Sequence, residues 1–155
     1  MRKFSVKSEA TVTDQLIADI VITAFEGGSV YWCEGAQAVE RDENGDWYEM
    51  IGEQYTQYQI DGVGAYANPE FWENDKRGYR LTTDEGEEIK KVLTLASLLK
   101  ALRWQQPKPT PAEKRLGSSS NWFRKLVDRV VAEDYDAGDA DTLVQVAVFN
   151  EVVYG

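Results

Sequence analysis

DQLIADIVITAFEGG, residues 14–28, is the stretch that decides the fold. Leu16, Ile17, Ile20, Val21, Ala24 and Phe25 recur at helical spacing and form one apolar stripe. Asp14 opens the helix, and Gly27-Gly28 ends it in the way C-terminal glycines do. These glycines are expected to take positive φ and reverse the chain, so that Tyr31 and Trp32 pack back on the helix.

Upstream, residues 3–11 alternate, with Phe4, Val6, Ala10 and Val12 apolar, and read as a first strand. Downstream, SVYWC (residues 29–33) reads as a strand or as the first turn of a second helix. Asn44-Gly45 has hairpin-turn chemistry, with a short strand near Trp47, Tyr48, Met50 and Ile51. Residues 52–78 hold Gly52, Gly62, Gly64, Pro69 and Gly78 and read mostly as loop. Residues 79–83 and 87–94 read as two strands around Asp84-Glu85-Gly86. Thr94 caps a helix with Leu95, Leu98, Leu99 and Leu102 on its inner face.

Residues 105–120 (QQPKPTPAEKRLGSSS) form a Pro/Ser connector, mildly basic through Lys108, Lys114 and Arg115. Asn121 then caps a helix that buries Trp122, Phe123, Leu126, Val127 and Val130. After an acidic turn over 133–141, Thr142-x-x-Gln145 has the capping-box pattern. The following apolar run through Phe149 is a buried helix or a buried strand, and the cap favours the helix.

These elements define an α+β chain: a small antiparallel sheet packed against three or four helices in one domain over residues 1–155. Leu16, Ile17, Ile20, Val21, Phe25, Leu98, Leu99, Leu102, Phe123, Leu126, Val127, Val144 and Val148 are the expected core. A mean hydropathy of −0.49 with 43% hydrophobic and 12% aromatic residues suits a folded globule.

The net charge has one source. Between Glu34 and Asp75 stand eleven acidic residues and one basic residue, Arg41, which sums to the −10 of the whole chain. Aromatic residues are threaded through this acidic segment, 34–78. A one-sided negative field with aromatic anchors favours a basic partner and disfavours direct nucleic-acid binding. Asp42, Glu43, Asp46, Trp47, Tyr48, Glu49, Glu53 and Trp72 are the candidate partner-binding residues.

Other chemistries are constrained by what the sequence lacks. With no histidine, Ser-His and Cys-His pairs cannot form and common zinc sites lose their main ligand. Asp134, Asp136, Asp139 and Asp141 alternate like a calcium loop, but the sixth and twelfth positions are Asp139 and Gln145 instead of Gly and Glu. They read as a helix–helix turn. Cys33 has no neighbouring cation and reads as a small buried hydrophobe. Lys90-Lys91 and Lys76-Arg77 read as solvated charges. No catalytic residue, metal or cofactor is expected. One cysteine, a polar N-terminal segment and no long apolar run lead to the expectation of a soluble, cytoplasmic protein without a membrane span.

Two motifs carry a resemblance. Glu26-Gly27-Gly28-Ser29-Val30-Tyr31-Trp32-Cys33 resembles the "EGGxxYWC" signature of small proteins of actinobacterial phages and prophages. Asp139-Ala140-Asp141-Thr142-Leu143-Val144-Gln145, followed by Val152-Val153-Tyr154-Gly155, resembles the same family's C-terminus, "DADxxVQ…VVYG". The resemblance implies a phage protein acting in a bacterial host cytoplasm and brings no catalytic residues with it. The expected function is non-catalytic: inhibition of a host defence protein with a basic surface, with nucleic-acid mimicry as one form of it. An alternative is a sponge for a nucleotide immune signal, with Tyr31, Trp32, Trp47 and Trp72 stacking the base and Lys76, Arg77 or Arg80 meeting the phosphate. A histidine-free enzyme is the second alternative.

Overall fold

The computed structural model describes residues 2–7, 10–117 and 121–155. Its first element is a pair of strands, β1 (Lys3–Lys7) and β2 (Ala10–Thr13), antiparallel with Phe4 opposite Val12. This corrects the single strand expected over 3–11. Phe4, Val6, Ala10 and Val12 share one parity, so a hairpin and a continuous strand give the same pattern. Ser8 and Glu9 lie outside the described residues.

Helix α1 (Asp14–Thr23) follows at once, with Thr13 Oγ1 accepting the Leu16 amide at 3.2 Å. Leu16, Ile17, Ala18, Ile20 and Val21 are buried along it. The helix widens into a π-type turn over Ala24–Gly28, closed by the Ser29 amide donating to Ala24 O at 2.8 Å. Gly27 and Gly28 are absent from the positive-φ residues, so their expected left-handed geometry is not what the chain uses. Gly28 serves close approach instead: a Cβ there would overlap the Ala137 carbonyl and fall 2.9 Å from Asp141 Cβ.

Strand β3 (Cys33–Arg41) is the centre of a second sheet, ordered β4-β3-β5, with β4 (Trp47–Glu49) and β5 (Arg77–Thr83) both antiparallel to it. The β3–β4 turn carries Gly45 at φ +85°, as expected from Asn44-Gly45. Between β4 and β5 run two one-turn helices, α2 (Glu53–Thr56) and α3 (Pro69–Trp72), and a 3-10 turn at Ala65–Ala67. The strand expected over 87–94 is reduced to bridges, Thr82 with Glu88 and Tyr79 with Leu93. Its pairing breaks at Lys90-Lys91, whose side chains are exposed.

Helix α4 (Leu95–Leu102) is capped by Thr94 with Ser97 completing a capping box. Residues 105–110 have no regular structure, and α5 (Pro111–Arg115) is a short helix within the connector, whose Ser118–Ser120 lie outside the described residues. Helix α6 (Trp122–Val131) receives help from that connector: Gln106 Oε1 accepts the Phe123 amide at 2.6 Å. Helix α7 (Ala137–Phe149) settles the C-terminal run as helix. Its capping box is Asp136 with Asp139, earlier than the expected Thr142 and Gln145. Thr142 instead donates to Gly138 O from inside the helix, at 2.9 Å.

The chain is thus α+β, with seven α-helices and two small antiparallel sheets among the described residues. Four helices, α1, α4, α6 and α7, have eight residues or more. One contiguous core joins them, reaching from Val6 to Val148. Eleven of the thirteen expected core residues are buried, while Phe25 and Leu99 are partly buried at its margin. No helix is long and apolar enough to cross a membrane among the described residues.

Candidate functional site: an acidic hairpin and two neighbouring centres

The β3–β4 hairpin presents the acidic candidates. Asp42, Glu43, Asp46, Glu49 and Glu53 are all exposed. None has an ion-pair partner within 4.0 Å among the described residues. Their roles still differ. Asp42 Oδ1 accepts the Asn44 and Asp46 amides at 2.8 and 3.0 Å, so this carboxylate holds the turn. Glu53 sits in the first turn of α2, where a negative charge is favoured. Glu43, Asp46 and Glu49 have no such internal use on their side chains among the described residues.

Strand pairing sorts the hairpin's larger side chains. Tyr48 lies opposite Glu40, and Trp47 lies opposite Arg41 on the other face. Tyr48 OH donates to Glu40 Oε2 at 2.5 Å, and that carboxylate holds the phenol above its ordinary range. Glu40 also accepts from Gln54 at 2.9 Å and stands 3.8 Å from Arg77, so it belongs to the scaffold. Tyr48 remains 40% exposed and Ile51 67% exposed, which leaves apolar surface among the free carboxylates. Trp47 is half-buried, with the Arg41 guanidinium 5.2 Å from its ring centre.

Trp72 does not belong to this surface. It is fully buried, donates through Nε1 to Tyr66 O at 2.9 Å, and packs edge-on against Phe71. The Asn68 cap and Pro69 turn α3 so that both aromatic rings point into the core. The nucleotide arrangement expected from Tyr31, Trp32, Trp47, Trp72, Lys76, Arg77 and Arg80 fails for the same reason. Trp32 is also fully buried, Arg77 is committed to Glu40 and to the Phe71 and Glu70 carbonyls, and Arg80 pairs with Glu88 at 3.0 Å.

A second centre joins the two motifs that carry the resemblance. Asp141 is buried on α7, and its carboxylate accepts from Ser29 Oγ, Tyr31 OH, Trp32 Nε1 and Gln145 Nε2 at 2.6–2.9 Å. Gln145 Nε2 also donates to Tyr154 O, and its Oε1 accepts the Val153 and Tyr154 amides. Tyr154 then stacks on Trp32 with planes 5° apart. So the hydrogen bonds of Tyr31 and Trp32 run to α7 and the C-terminal segment, while Trp32 shares one buried core with the α1 residues. Burial, followed by the Asp141 contact, raises the Tyr31 phenol above its ordinary range. Burial likewise raises the Cys33 thiol, which stands 3.4 Å from Gly35 O and is no activated nucleophile. With four donors and no cation, Asp141 is satisfied by neutral groups and is closed to a ligand.

The acidic turn at 133–141 is structural as well. Arg129 makes a two-pronged contact with Asp139 at 2.8 and 3.0 Å, which holds that carboxyl below its ordinary range. No cluster of three or more metal-ligating side chains occurs among the described residues.

The third centre is cationic. Lys90, Lys91 and Lys100 border a cleft of about 380 Å³ together with Arg41, Trp47 and Asp75. Lys90 and Lys91 are exposed, as expected of solvated charges. Only the tertiary fold brings them near Trp47 and Lys100, so no local pattern signals the cluster. No family model, no curated protein and no solved structure matches this chain.

Proposed function

We propose that this chain is a non-catalytic binder that engages a basic protein surface through the tip of the β3–β4 hairpin. The observation that carries the reading is the set Glu43, Asp46 and Glu49: exposed carboxylates without an internal partner among the described residues, in one hairpin with exposed Tyr48 and Ile51, Glu49 on the Trp47 face of β4 and Tyr48 on the other. Unpaired like charges gathered at one turn cost stability through repulsion, and a cationic partner removes that cost. Tyr48 and Ile51 supply the apolar contact that slows dissociation.

The geometry favours a compact acidic knob over an extended row of charges. Glu34 and Glu40 stand at opposite ends of β3, roughly 20 Å apart at ~3.3 Å per residue. Glu40 and Asp75 are already engaged inside the fold. Mimicry of a phosphate backbone would therefore be limited to the hairpin tip. On the resemblance to phage-encoded proteins, the partner is a host defence protein, and covering its basic surface inhibits it.

The experiment compares the parent with Glu43→Lys/Asp46→Lys/Glu49→Lys as baits in host lysate, then measures the kinetics of any captured protein at two ionic strengths. The expected result is a partner retained by the parent alone, whose association rate falls at least tenfold in the variant and also falls with salt. Equal capture by both, or association indifferent to salt, overturns the reading.

A further inference from the structure

The cleft behind the hairpin is built by a close crossing of backbone. Gly78 pairs with Val39 in the sheet, and a Cβ at Gly78 would fall 2.8 Å from Val92 Cγ1 and 3.1 Å from Thr94 Cγ2. Glycine there lets residues 92–94 lie directly on the sheet, and this carries Lys90 and Lys91 on one side and the start of α4 on the other up to Trp47. Asp75 fixes the arrangement: its Oδ1 accepts the Ala96 amide at 3.0 Å and its Oδ2 stands 4.0 Å from Arg41.

The lining contains four cations and one carboxylate. In a chain with 27 acidic and 17 basic residues, an unpaired lysine has many carboxylates to choose from. Yet Lys90, Lys91 and Lys100 have no ion-pair partner within 4.0 Å among the described residues. Among the described residues, the Arg41 guanidinium has the long contact to Asp75 and the Trp47 ring. Like charges brought together without counter-ions raise the affinity of the space between them for an anion. Trp47 borders the same space with one side of its ring under the Arg41 guanidinium, and a volume of about 380 Å³ is in the range of small-ligand sites.

We infer that this cleft binds a mononucleotide, with Lys91, Lys100 and Arg41 meeting the phosphate and Trp47 stacking the base. This inference goes beyond the hairpin reading and does not depend on it. The lysines come from the opposite wall, so Lys91→Gln and Lys100→Gln leave Glu43, Asp46 and Glu49 untouched. Both lysines are exposed, and their neutral replacements remove charge without opening the core.

The test is calorimetric titration of the intact chain, at low salt, with AMP, adenosine, inorganic phosphate and a short single-stranded dA oligomer. AMP is expected to bind saturably and at least tenfold tighter than either adenosine or phosphate, because each of these keeps only one of the two contacts. Lys91→Gln/Lys100→Gln should weaken AMP at least tenfold while leaving the melting temperature within about 2 °C. Trp47→Leu should bring AMP down to the affinity of phosphate. Absence of saturable AMP binding at millimolar concentration overturns the inference. So does phosphate binding as tightly as AMP, or an oligomer binding more tightly than AMP.

Discussion

Asp141 and the hairpin carboxylates carry the same charge in opposite circumstances. Asp141 is buried and surrounded by four donors drawn from Ser29, Tyr31, Trp32 and Gln145. Glu43, Asp46 and Glu49 face solvent, and their side chains have no hydrogen-bond or ion-pair partner among the described residues. What separates the two regions is the inventory of partners each carboxylate finds, because burial is tolerable only where every lone pair is met. A carboxylate with its full set of donors has no capacity left for a ligand. One with none is available to a partner, which is why the proposed binding role is placed on the hairpin, whereas Asp141 serves the stability of α7.

The sharpest way to break this division is Asp141→Ala. It strands buried donors on Ser29, Trp32 and Gln145, each worth about 1–3 kcal/mol. A combined loss of about 3–5 kcal/mol is expected in urea denaturation, with the C-terminal segment released from Gln145. A loss under about 1 kcal/mol would mean that the network is decoration and that Asp141 is free for another role.

Next in size are the two glycines before the network. Gly28→Ala forces a methyl group into the Ala137 carbonyl and should cost about 2–3 kcal/mol. Gly27→Ala meets only Ala137 Cβ, at 3.5 Å, and should cost under about 1 kcal/mol. Equal losses at both positions would show that conformation, and not close approach to α7, is what the glycine pair supplies.

A smaller effect separates Asp139 from Asp141. The Arg129 pair depresses the folded pKa of Asp139 below its ordinary value of 3.8. Its stabilisation is therefore fully present above pH 3.8 and is lost as pH falls through the lower, folded value. Asp139→Asn should cost about 1 kcal/mol near neutrality, and the gap between parent and variant should close under acid. A gap that persists unchanged through the acid range would assign the loss to the capping contacts with Asp136 instead of to the charge.

How much of this was legible depends on the sequence distance between partners. The stripe of α1, the Thr94 cap and the Asn44-Gly45 turn are local, and each was readable from adjacent residues. The acidic hairpin was readable as well, because charge density along the chain survives folding when a turn is exposed. Trp72 was misread because its neighbours are acidic, while its own burial is set by Asn68, Pro69 and the aromatic core around Tyr79. The Asp141 network links residues 29–32 to 141–154, and nothing local announces that a carboxylate in an acidic turn will meet an indole. The two motifs behind the phage resemblance nevertheless name both halves of that network. Their meeting gives the motifs a structural reason that is independent of any binding role. The lysine cleft had no sequence signal at all, since Lys91, Lys100 and Trp47 come together only after Gly78 admits residues 92–94 onto the sheet.

The last and smallest effect tests the free side of the comparison. If Glu43, Asp46 and Glu49 do nothing for the fold, reversing all three to Lys should leave the melting temperature within about 2 °C of the parent, or raise it slightly by relieving repulsion. Asp42 provides the contrast one residue away. Its side chain accepts the Asn44 and Asp46 amides, so Asp42→Ala should lower the melting temperature by about 2–4 °C, the equivalent of about 1 kcal/mol in a domain of this size. All four side chains are exposed, so exposure cannot explain a difference between the two variants. Thermal melts at low and high salt separate the remaining contributions: screening should shrink any gain from the triple reversal and leave the Asp42→Ala loss unchanged, because a turn hydrogen bond is short-ranged. A triple reversal that destabilises as much as Asp42→Ala would mean that the hairpin charges are part of the scaffold, and the binding role assigned to them would have to move elsewhere on the molecule.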